Sequence, residues 1–276
     1  MPIPPNAFTD RTLVISGASR GIGLAIGLAA AQRGANVVLL AKTDQPHPRL
    51  PGTVHTAAAE IEAAGGKALA VVGDVRREED VQRAVDAAVQ RFGGVDVCVN
   101  NASAIATEPT ERLSAKKFDL MQDINSRGTF LLTKACLPHL RGSANPHVLT
   151  IAPPINMNPY WLGVHPSYTL SKYAMTLLSL GWAAEFADAG IAVNCLWPET
   201  YIATSAVTNL ADGDRLAKSS RSPRIMGDAA AEILARPAAD ATGNCYLDAA
   251  VLTAAGGYDL ADYGGGDAPI RDLFLD

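Results

Sequence analysis

Short apolar runs alternate with longer segments of helical spacing along almost the whole chain. The runs are rich in Val, Leu and Ile, and polar residues do not alternate regularly within them. Such runs are typical of strands buried on both faces of a parallel sheet. They are TLVISG (12–17), NVVLLA (36–41), ALAVVGDV (68–75), VDVCVNNAS (95–103), HVLTIA (147–152), IAVNCLWP (191–198) and NCYLD (244–248). This alternation with helices predicts the α/β class, with a doubly wound parallel sheet of about seven strands and helices on both faces.

Helical segments join these runs. Their spacing predicts two long helices, over about 114–140 and about 166–189, and a short one at GDAAAEILA (227–235). No internal repeat and no low-complexity tail interrupts the alternation. We therefore predict a single domain over residues 1–276.

Composition excludes several classes of partner. The net charge of −5 leaves no basic surface for nucleic acid, and no apolar run reaches the roughly 20 residues of a membrane helix. Four well-separated cysteines without a Cys-x-x-Cys pair indicate free thiols in a reducing compartment, and the first residues, MPIPPNAFTD, lack a secretory signal. We therefore expect a cytoplasmic protein without nucleic-acid or membrane partners. The five histidines lack metal-ligand spacing, so we predict no metal site.

A glycine-rich stretch, SGASRGIG (16–23), lies between the first predicted strand and the first predicted helix. Its glycines allow a tight turn and let a pyrophosphate approach the backbone at a helix N-terminus, where free N–H groups favour an anion. The alternative is an ordinary strand–helix turn, but the strand–turn–helix context favours a Rossmann-type dinucleotide site. The residues predicted to bind the cofactor in this turn are Gly17, Ser19, Arg20, Gly21, Ile22 and Gly23.

The end of the second predicted strand bears on the choice of dinucleotide. An NAD site requires an acidic residue there, which binds the ribose 2′-hydroxyl. Here Lys42 takes the early position, Asp44 follows two residues later, and Arg20 lies in the glycine turn. Two cations suit a 2′-phosphate, because each supplies a charge-assisted hydrogen bond. The sequence favours NADP over NAD, while solvated surface cations and the nearby Asp44 remain the alternative.

Tyr168 and Lys172 stand four residues apart in SYTLSKY (167–173), and this spacing places both side chains on one helix face. A free tyrosine has a pKa of ~10, and an ammonium about 4 Å away contributes roughly 4 kcal/mol at an effective dielectric of 20. Before desolvation is subtracted, that attraction would lower the pKa by up to ~3 units and make the tyrosine a usable acid and base. Alone, such a pair is usually an exposed helix face; its place after the fifth strand indicates catalysis.

Together these motifs resemble the short-chain dehydrogenase/reductase family over nearly the whole chain. GASRGIG, GDV, NNAS and INSRG stand at the family's spacing before the Tyr-Lys pair. The resemblance implies that Asp74 contacts the adenine, and that Asn100 and Ala102 lie beside the cofactor, with Asn100 steadying the central strands. It implies that Asn125 holds a water in a proton relay. The alternatives are a turn-forming Asp74 at a strand end and a helix-kinking Asn125.

The resemblance implies an NADP-dependent oxidoreductase that interconverts a carbonyl and an alcohol in a small-molecule substrate. Tyr168 would be the proton donor and acceptor, and Lys172 would bind the nicotinamide ribose and lower the tyrosine pKa. A nucleotide-binding sensor or scaffold without turnover is the alternative on the same fold. Family members commonly pair through the two long helices, which implies a dimer or tetramer here. The apolar faces of FLLTKACLPHL and YAMTLLSLGWAAEF permit this, although a core role explains them equally well.

A more specific resemblance is to the hydroxysteroid dehydrogenase-like 2 subgroup. AKTDQPHPRLPGT, INSRGT, PPINMNP and LWPET carry it. Eukaryotic members of that subgroup are organellar and have an additional sterol-carrier domain. We see no such domain and no peroxisomal signal, and therefore expect neither the location nor the carrier function to apply.

The chain departs from the family pattern at two positions. Ala152 and Pro153 stand where the family has a catalytic serine, and Pro198-Glu199 replaces the usual Pro-Gly after the sixth strand. Because glutamate lacks the freedom of glycine at positive φ, we expect a different loop path beside the nicotinamide. Thr204 is still predicted to reach the cofactor. The Ser-, Ala- and Arg-rich stretch 201–226 is predicted to be a flap on the substrate side.

Asn156 is the predicted substitute for the missing serine. It precedes Tyr168 by 12 residues, near the interval at which the family serine precedes its tyrosine, and Asn158 is close by. An asparagine amide can donate a hydrogen bond to a developing oxyanion. The alternative is that both asparagines only shape a proline-rich loop.

Overall fold

The computed structural model describes residues 3–47, 50–208, 213–266 and 268–276. Within these ranges seven parallel strands form one sheet in the order β3-β2-β1-β4-β5-β6-β7. The strands are β1 Thr12–Ser16, β2 Asn36–Ala41, β3 Lys67–Val72, β4 Val97–Asn100, β5 His147–Ile151, β6 Ala192–Trp197 and β7 Cys245–Leu247. The direction of strand succession reverses between β1 and β4, so the sheet is doubly wound and the predicted fold class is confirmed.

Helices cover both faces of this sheet. They are α1 Gly21–Ala31, α2 Val54–Ala63, α3 Glu78–Phe92, α4 Ala115–Met121, α5 Gly128–Leu140, α6 Pro159–Val164, α7 Pro166–Glu185, α8 Ser205–Thr208, α9 Gly213–Lys218, α10 Arg224–Leu234 and α11 Asp248–Ala255. In the part of the chain that the structure describes, none of them is both long and apolar enough to cross a bilayer.

Two apolar cores lie on opposite faces of the sheet, and β1 contributes to both. Leu13 and Ile15 pack in the cluster that includes α1, α2 and α10. Val14 packs in the cluster that includes α3, α5 and α7. Because successive side chains of a strand point to opposite faces, a strand covered on both sides carries apolar residues toward both faces. This explains the unbroken apolar runs of the sequence.

The first predicted long helix is interrupted. A π-helical turn, Gln122–Arg127, separates α4 from α5 and contains Asn125. Such turns occur frequently at functional sites. Hydrophobic spacing does not reveal the interruption, because one wider turn barely changes the apolar face. It also does not predict α6 or α11, since six and eight residues are too few to show a helical period.

The predicted flap, residues 201–226, is partly a flap and partly core. Residues 209–212 lie outside the described residues. The stretch contains α8 and α9, but α10 begins at Arg224, and Ile225 and Met226 are fully buried. The core helix therefore overlaps the last three residues of the predicted flap.

The carboxyl ends of the parallel strands bring distant segments to one edge of the sheet. The glycine turn follows β1, Asp74 follows β3, and Asn101 follows β4. Pro153 and Pro198 follow β5 and β6 at the same edge. Ligands of doubly wound sheets bind at this edge, beside the reversal of strand order.

Candidate functional site

A cavity of about 580 Å³ opens at this edge of the sheet. Most of the predicted site residues line it, and they come from six separate segments of the chain. These lining residues are Gly17, Ser19, Arg20, Gly21, Ile22, Lys42, Asp74, Ala102, Tyr168, Lys172 and Thr204. Four predicted residues do not line it: Gly23, Asn100, Asn125 and Asn156.

The glycine turn requires its glycines for two different reasons. Gly17 and Gly21 have φ of +68° and +60°, a conformation that side chains disfavour. A Cβ on Gly23 would lie 2.9 Å from the carbonyl oxygen of Gly17 and would also meet the Asn101 amide. Gly23 therefore permits close packing of α1 against the turn and does not itself face the cavity.

Asn101 and Ser16 fasten the glycine turn to the loop after β4. The Asn101 Nδ2 donates to the carbonyl oxygens of Ser16, at 2.9 Å, and Gly17, at 3.1 Å. The Ser16 Oγ accepts from the backbone N–H groups of Asn101 and Ala102, both at 3.1 Å. Sequence reasoning missed both residues, although Asn101 is part of the NNAS motif that it used.

One end of the cavity is lined by one carboxylate, Asp74, and by two cations, Lys42 and Arg20. Asp74 accepts hydrogen bonds from Arg76, and this contact is the largest of the causes that lower its pKa; Lys42 adds to the effect. Arg20 donates to the carbonyl oxygens of Pro51, at 2.8 Å, and Gly52, at 2.9 Å. The Arg20 guanidinium is thus fixed at the cavity wall by the loop that precedes α2.

Asp44, the residue that could have favoured NAD, has a partner elsewhere. Its Oδ1 lies 2.7 Å from Nε2 of His55 on α2, and it does not line the cavity. The His55 and Gln45 hydrogen bonds lower the pKa of this exposed carboxyl. The acidic side chain nearest to the end of β2 is therefore not directed at the cavity.

Lys172 is a buried cation at the centre of the site. Its Nζ donates to the carbonyl oxygen of Ile151 at 2.6 Å and lies 5.1 Å from the centre of the Trp197 ring. Burial lowers the pKa of Lys172 to about 7, and the neighbouring Cys195 and Asp272 oppose this. A buried ammonium costs free energy unless hydrogen-bond acceptors surround it. The Ile151 carbonyl uses one of the three donors of Lys172, so the site is suited to a polar ligand that accepts from the others.

Tyr168 is also buried, and its pKa moves opposite to the expectation. Burial is the largest cause of a pKa well above the ordinary value, and the nearby Asp272 and Tyr201 raise it further. Only a hydrogen bond with the Ser103 hydroxyl lowers it. The predicted lowering by Lys172 is not found, because desolvation dominates and burial removes part of the charge of Lys172 itself.

Asn100 and Asn125 act inside the protein. The Asn100 Nδ2 donates to Thr133 Oγ1 at 2.9 Å, tying β4 to α5. The Asn125 side chain accepts from the Ala104 N–H at 2.7 Å and donates to the Ala104 carbonyl and to Ser171 Oγ, both at 2.9 Å. Its amide is thus occupied, and the water of the predicted relay would have to bind its main-chain carbonyl.

Asn156 is not brought to Tyr168. Its Nδ2 donates to the Phe274 carbonyl oxygen and to Asp276 Oδ2, both at 3.0 Å. It lines a second cavity, outside the one that contains Tyr168. The interval to Tyr168 therefore predicted the wrong neighbours. The irregular loop after β5 places Asn156 beside Phe274 and Asp276, which lie 118 and 120 positions later in the chain.

Several residues around Tyr168 were not predicted from the sequence. Ser103, Trp197, Tyr201, Asp272 and Leu273 line the same cavity. Trp197 is the last residue of β6 and Tyr201 follows it, so their position at the carboxyl end of a strand alone indicates site candidates. Asp272 and Leu273 carry no motif, so only the folded chain brings them to the site.

The lining fits a dinucleotide in its chemistry. The turn at Gly17 and Gly21 presents backbone at the N-terminus of α1, as a pyrophosphate requires. The cations Arg20 and Lys42 and the Asp74 carboxylate lie at one end, and the buried Lys172 lies beside Tyr168 at the other. These donors and acceptors are those that a phosphorylated ribose, an adenine and a second ribose would use.

Comparison with known proteins is consistent with this arrangement. Residues 11–215 match the short chain dehydrogenase family. Hydroxysteroid dehydrogenase-like protein 2 of Danio rerio is 51% identical over 267 residues, which are 96% of this chain and 64% of that protein. This chain therefore spans less than two thirds of that relative's length.

Two solved structures resemble the whole fold. A short chain dehydrogenase from Mycobacterium thermoresistibile is 49% identical, with a TM-score of 0.91 and coverage of 97% of this chain and 96% of that one. L-Sorbose reductase from Gluconobacter frateurii, in complex with NADPH and L-sorbose, is 25% identical, with a TM-score of 0.75 and coverage of 88% and 97%.

Proposed function

Because the chain belongs to the short-chain dehydrogenase family, we propose that it is an NADP-dependent oxidoreductase that interconverts a carbonyl and an alcohol in a small molecule. The observation that carries the proposal is one cavity that holds both the glycine turn and the Tyr168–Lys172 pair. A dinucleotide held at the turn would have its other end beside the tyrosine. A bound nicotinamide would supply the hydride of the reaction.

In this proposal Tyr168 gives the proton to the carbonyl oxygen during reduction and takes it back during oxidation. Its raised pKa keeps the hydroxyl protonated at neutral pH, which suits the reducing direction. Lys172, which lines the same cavity as Tyr168, would hold the ribose hydroxyls through its hydrogen-bond donors. Asn100, Asn101 and Asn125 hold the loop after β4 against the strands and helices around it.

Lys42 and Arg20 support NADP as the preferred cofactor. Both line the cavity at its adenosine end, and Asp44 is occupied by His55. A 2′-phosphate would receive charge-assisted hydrogen bonds from cations at this end, whereas a free 2′-hydroxyl would find no carboxylate at the end of β2. The NADPH complex of L-sorbose reductase shows that this fold accommodates the phosphorylated dinucleotide in that protein.

The test combines cofactor binding with turnover. We expect NADPH to quench the protein fluorescence at lower concentration than NADH, and NADPH to be consumed with at least one member of a panel of aldehydes and ketones. Tyr168→Phe should bind NADPH as the unaltered protein does and lose most of its turnover.

Two results would contradict the proposal in different ways. Tight NADPH binding without turnover on any substrate of the panel would favour a nucleotide-binding sensor or scaffold on this fold. Undiminished turnover by Tyr168→Phe would remove Tyr168 from the mechanism.

The assembly is a second part of the proposal. Phe130 on α5 and Leu170 and Leu177 on α7 expose 44%, 54% and 61% of their surface. Exposed large apolar side chains on two long helices suit pairing with a second copy into a dimer or tetramer of single-domain subunits, each residues 1–276. Light scattering at micromolar concentration should give a multiple of 28.8 kDa, and a monomer would contradict it.

A further inference from the structure

The segment 271–276 lies across the substrate side of the cavity. Asp272 and Leu273 line the cavity that contains Tyr168, and Phe274 packs on the other side of the Tyr168 ring, with ring centres 6.2 Å apart. Phe274 is 2% exposed. The segment is therefore an integral wall of the site, and no motif in the sequence predicts it.

Glu199 provides the first attachment of this segment. Its carbonyl oxygen accepts from the Asp272 N–H at 3.1 Å, and its own N–H donates to Asp248 Oδ1 at 2.8 Å. The Glu199 carboxylate lies 3.6 Å from the guanidinium of Arg221, a buried residue. The glutamate that replaces the usual family glycine thus joins the loop after β6 to the 271–276 segment and to the residues before α10.

The proline-rich loop after β5 provides the second attachment. Asp276 accepts hydrogen bonds from Asn156, at 3.0 Å, Asn158, at 3.2 Å, and Trp161 Nε1, at 3.0 Å. Phe274 fills the space between Trp161, Tyr173 and Trp197, at ring-centre distances of 6.1, 5.3 and 5.9 Å. Aromatic pairs at such distances attract each other beyond their burial, so these contacts hold the segment against the site.

Between these attachments stands the Asp272 carboxyl. Its Oδ1 accepts from the Leu273 N–H at 2.7 Å. Tyr168, Lys172 and Tyr201 line the same cavity as Asp272, and the charge of Asp248, at the start of α11, also acts on it. No described side chain donates a hydrogen bond to its second oxygen, so the carboxyl acts on these neighbours through its charge.

We propose that the 271–276 segment is a built part of the active site and that Asp272 is a positioning residue that keeps the proton on Tyr168. A carboxylate near a phenol disfavours the phenolate, and near a lysine it favours the ammonium. Asp272 has both effects here, on Tyr168 and on Lys172. The residue thus disfavours the phenolate, which is the form that alcohol oxidation requires as its base.

The charge of Asp272 itself changes near neutral pH. Burial and, to a smaller extent, Asp248 raise the pKa of Asp272, while the Leu273 N–H and Lys172 oppose the increase. The net pKa is about 7. Above this pH the carboxylate is present and the proton on Tyr168 is held more strongly. Below it the neutral carboxyl exerts less influence, while Lys172 becomes fully charged.

The test rests on the proposed function and compares Asp272→Asn with the unaltered enzyme. The amide keeps the shape of the side chain and removes the charge. We expect the pH at which alcohol oxidation with NADP reaches half its maximum to fall by about one unit, because Tyr168 loses its proton more readily. NADPH affinity, which is measured by titration without substrate, should begin to fall at a lower pH than in the unaltered enzyme. Without the Asp272 charge, Lys172 loses its proton at a lower pH.

Two further variants complete the experiment. Asp188→Asn removes one exposed carboxylate beyond the far end of α7, about 25 Å from Tyr168 by helix rise, and should leave both pH profiles unchanged. Asp276→Ala loosens the attachment without removing Asp272 and should shift the oxidation profile in the same direction by a smaller amount.

Profiles of Asp272→Asn that superimpose on those of the unaltered enzyme would overturn the inference. If instead no alcohol is oxidised by any variant and Tyr168→Phe has no effect, the proposed function fails first. The NADPH titration then still decides whether Asp272 acts on Lys172.

Discussion

The two ends of the cavity, which we propose bind the cofactor and the substrate and call the cofactor end and the substrate end, are built in different ways. At the cofactor end, contiguous motifs after β1, β3 and β4 supply the turn, Asp74 and Asn101, and these sites follow the family pattern. At the substrate end, the loops after β5 and β6 depart from that pattern, and residues 271–276 cover them. One end is determined by short stretches of sequence, and the other by contacts between stretches more than 70 residues apart.

The loops that contain the two departures both bind the 271–276 segment. The Glu199 backbone carbonyl accepts from Asp272, and the Asn156 amide donates to Phe274 and Asp276. Their partners Asp272 and Phe274 stand beside Tyr168. The substrate end thus retains a buried, polar environment for Tyr168 through a wall that comes from a distant part of the chain.

Phe274→Ala tests whether this wall is structural, and it is the largest effect we expect. Truncation of a buried phenylalanine typically costs about 3–5 kcal/mol, and here it also empties the space between four aromatic rings. Urea unfolding should show a loss of about 3 kcal/mol. Met157→Ala, at a side chain 69% exposed in the same region, should change the free energy of unfolding by less than about 0.5 kcal/mol. Equal losses in the two variants would mean that the segment does not hold the substrate end.

A pH experiment separates the stability of the sheet from the chemistry of the site. His147, at the start of β5 and away from the cavity, is buried, and burial lowers its pKa to about 4. The unfolded chain takes up this proton at about 6.5 and the folded one only at about 4, so stability falls as pH falls through that window, by up to about 3 kcal/mol.

Urea unfolding between pH 7.5 and 4.5 measures this loss. The His147→Gln variant should lose less stability over that range than the unaltered protein, and His139→Gln should lose as much. If the free energy of unfolding falls equally with pH in all three proteins, groups other than His147 cause the loss of stability in acid. Asp272, whose raised pKa makes it favour the folded state as pH falls, is the same in all three proteins, so the difference between His147→Gln and His139→Gln isolates the contribution of His147.

Gly23→Ala tests the packing of the cofactor end. The new Cβ would meet the Gly17 carbonyl oxygen at 2.9 Å and the Ala18 Cα at 3.1 Å. Backbone atoms cannot move aside as a flexible side chain can, so we expect about 1–3 kcal/mol of destabilisation and weaker NADPH binding. Gly181→Ala, where a Cβ on α7 meets nothing within 4 Å, should be neutral or stabilising. An unchanged melting temperature for Gly23→Ala would contradict the close-packing role.

Lys42→Ala should have the smallest and most selective effect. Loss of one charge-assisted hydrogen bond to a 2′-phosphate is worth about 1.5–3 kcal/mol at most, and partial exposure reduces it, so we expect about tenfold weaker NADPH binding. NADH binding should change little. The control Lys67→Ala, at the start of β3 and away from the cavity edge of the sheet, should change the binding of neither NADPH nor NADH. Equal losses for NADPH and NADH would show that Lys42 does not read the 2′-phosphate.

Much of the molecule follows from local sequence. The seven apolar runs specify buried parallel strands because a strand covered on both faces carries apolar residues toward both. The glycines at 17, 21 and 23 specify a tight turn because other residues would be strained or would clash. The four-residue spacing of Tyr168 and Lys172 places both on one helix face and in one cavity.

The tertiary structure decided the electrostatics and the substrate wall. Helical spacing alone suggested that Lys172 lowers the pKa of Tyr168, but burial raises it, and burial depends on everything packed around the ring. Likewise, the interval between Asn156 and Tyr168 suggested that the two side chains are neighbours. In the folded loop, Asn156 instead donates hydrogen bonds to Phe274 and Asp276. Sequence intervals specify neighbours only within a regular helix or strand. Where the chain turns irregularly, contacts are selected by the packing of distant segments, as the position of Asp272 beside Tyr168 illustrates.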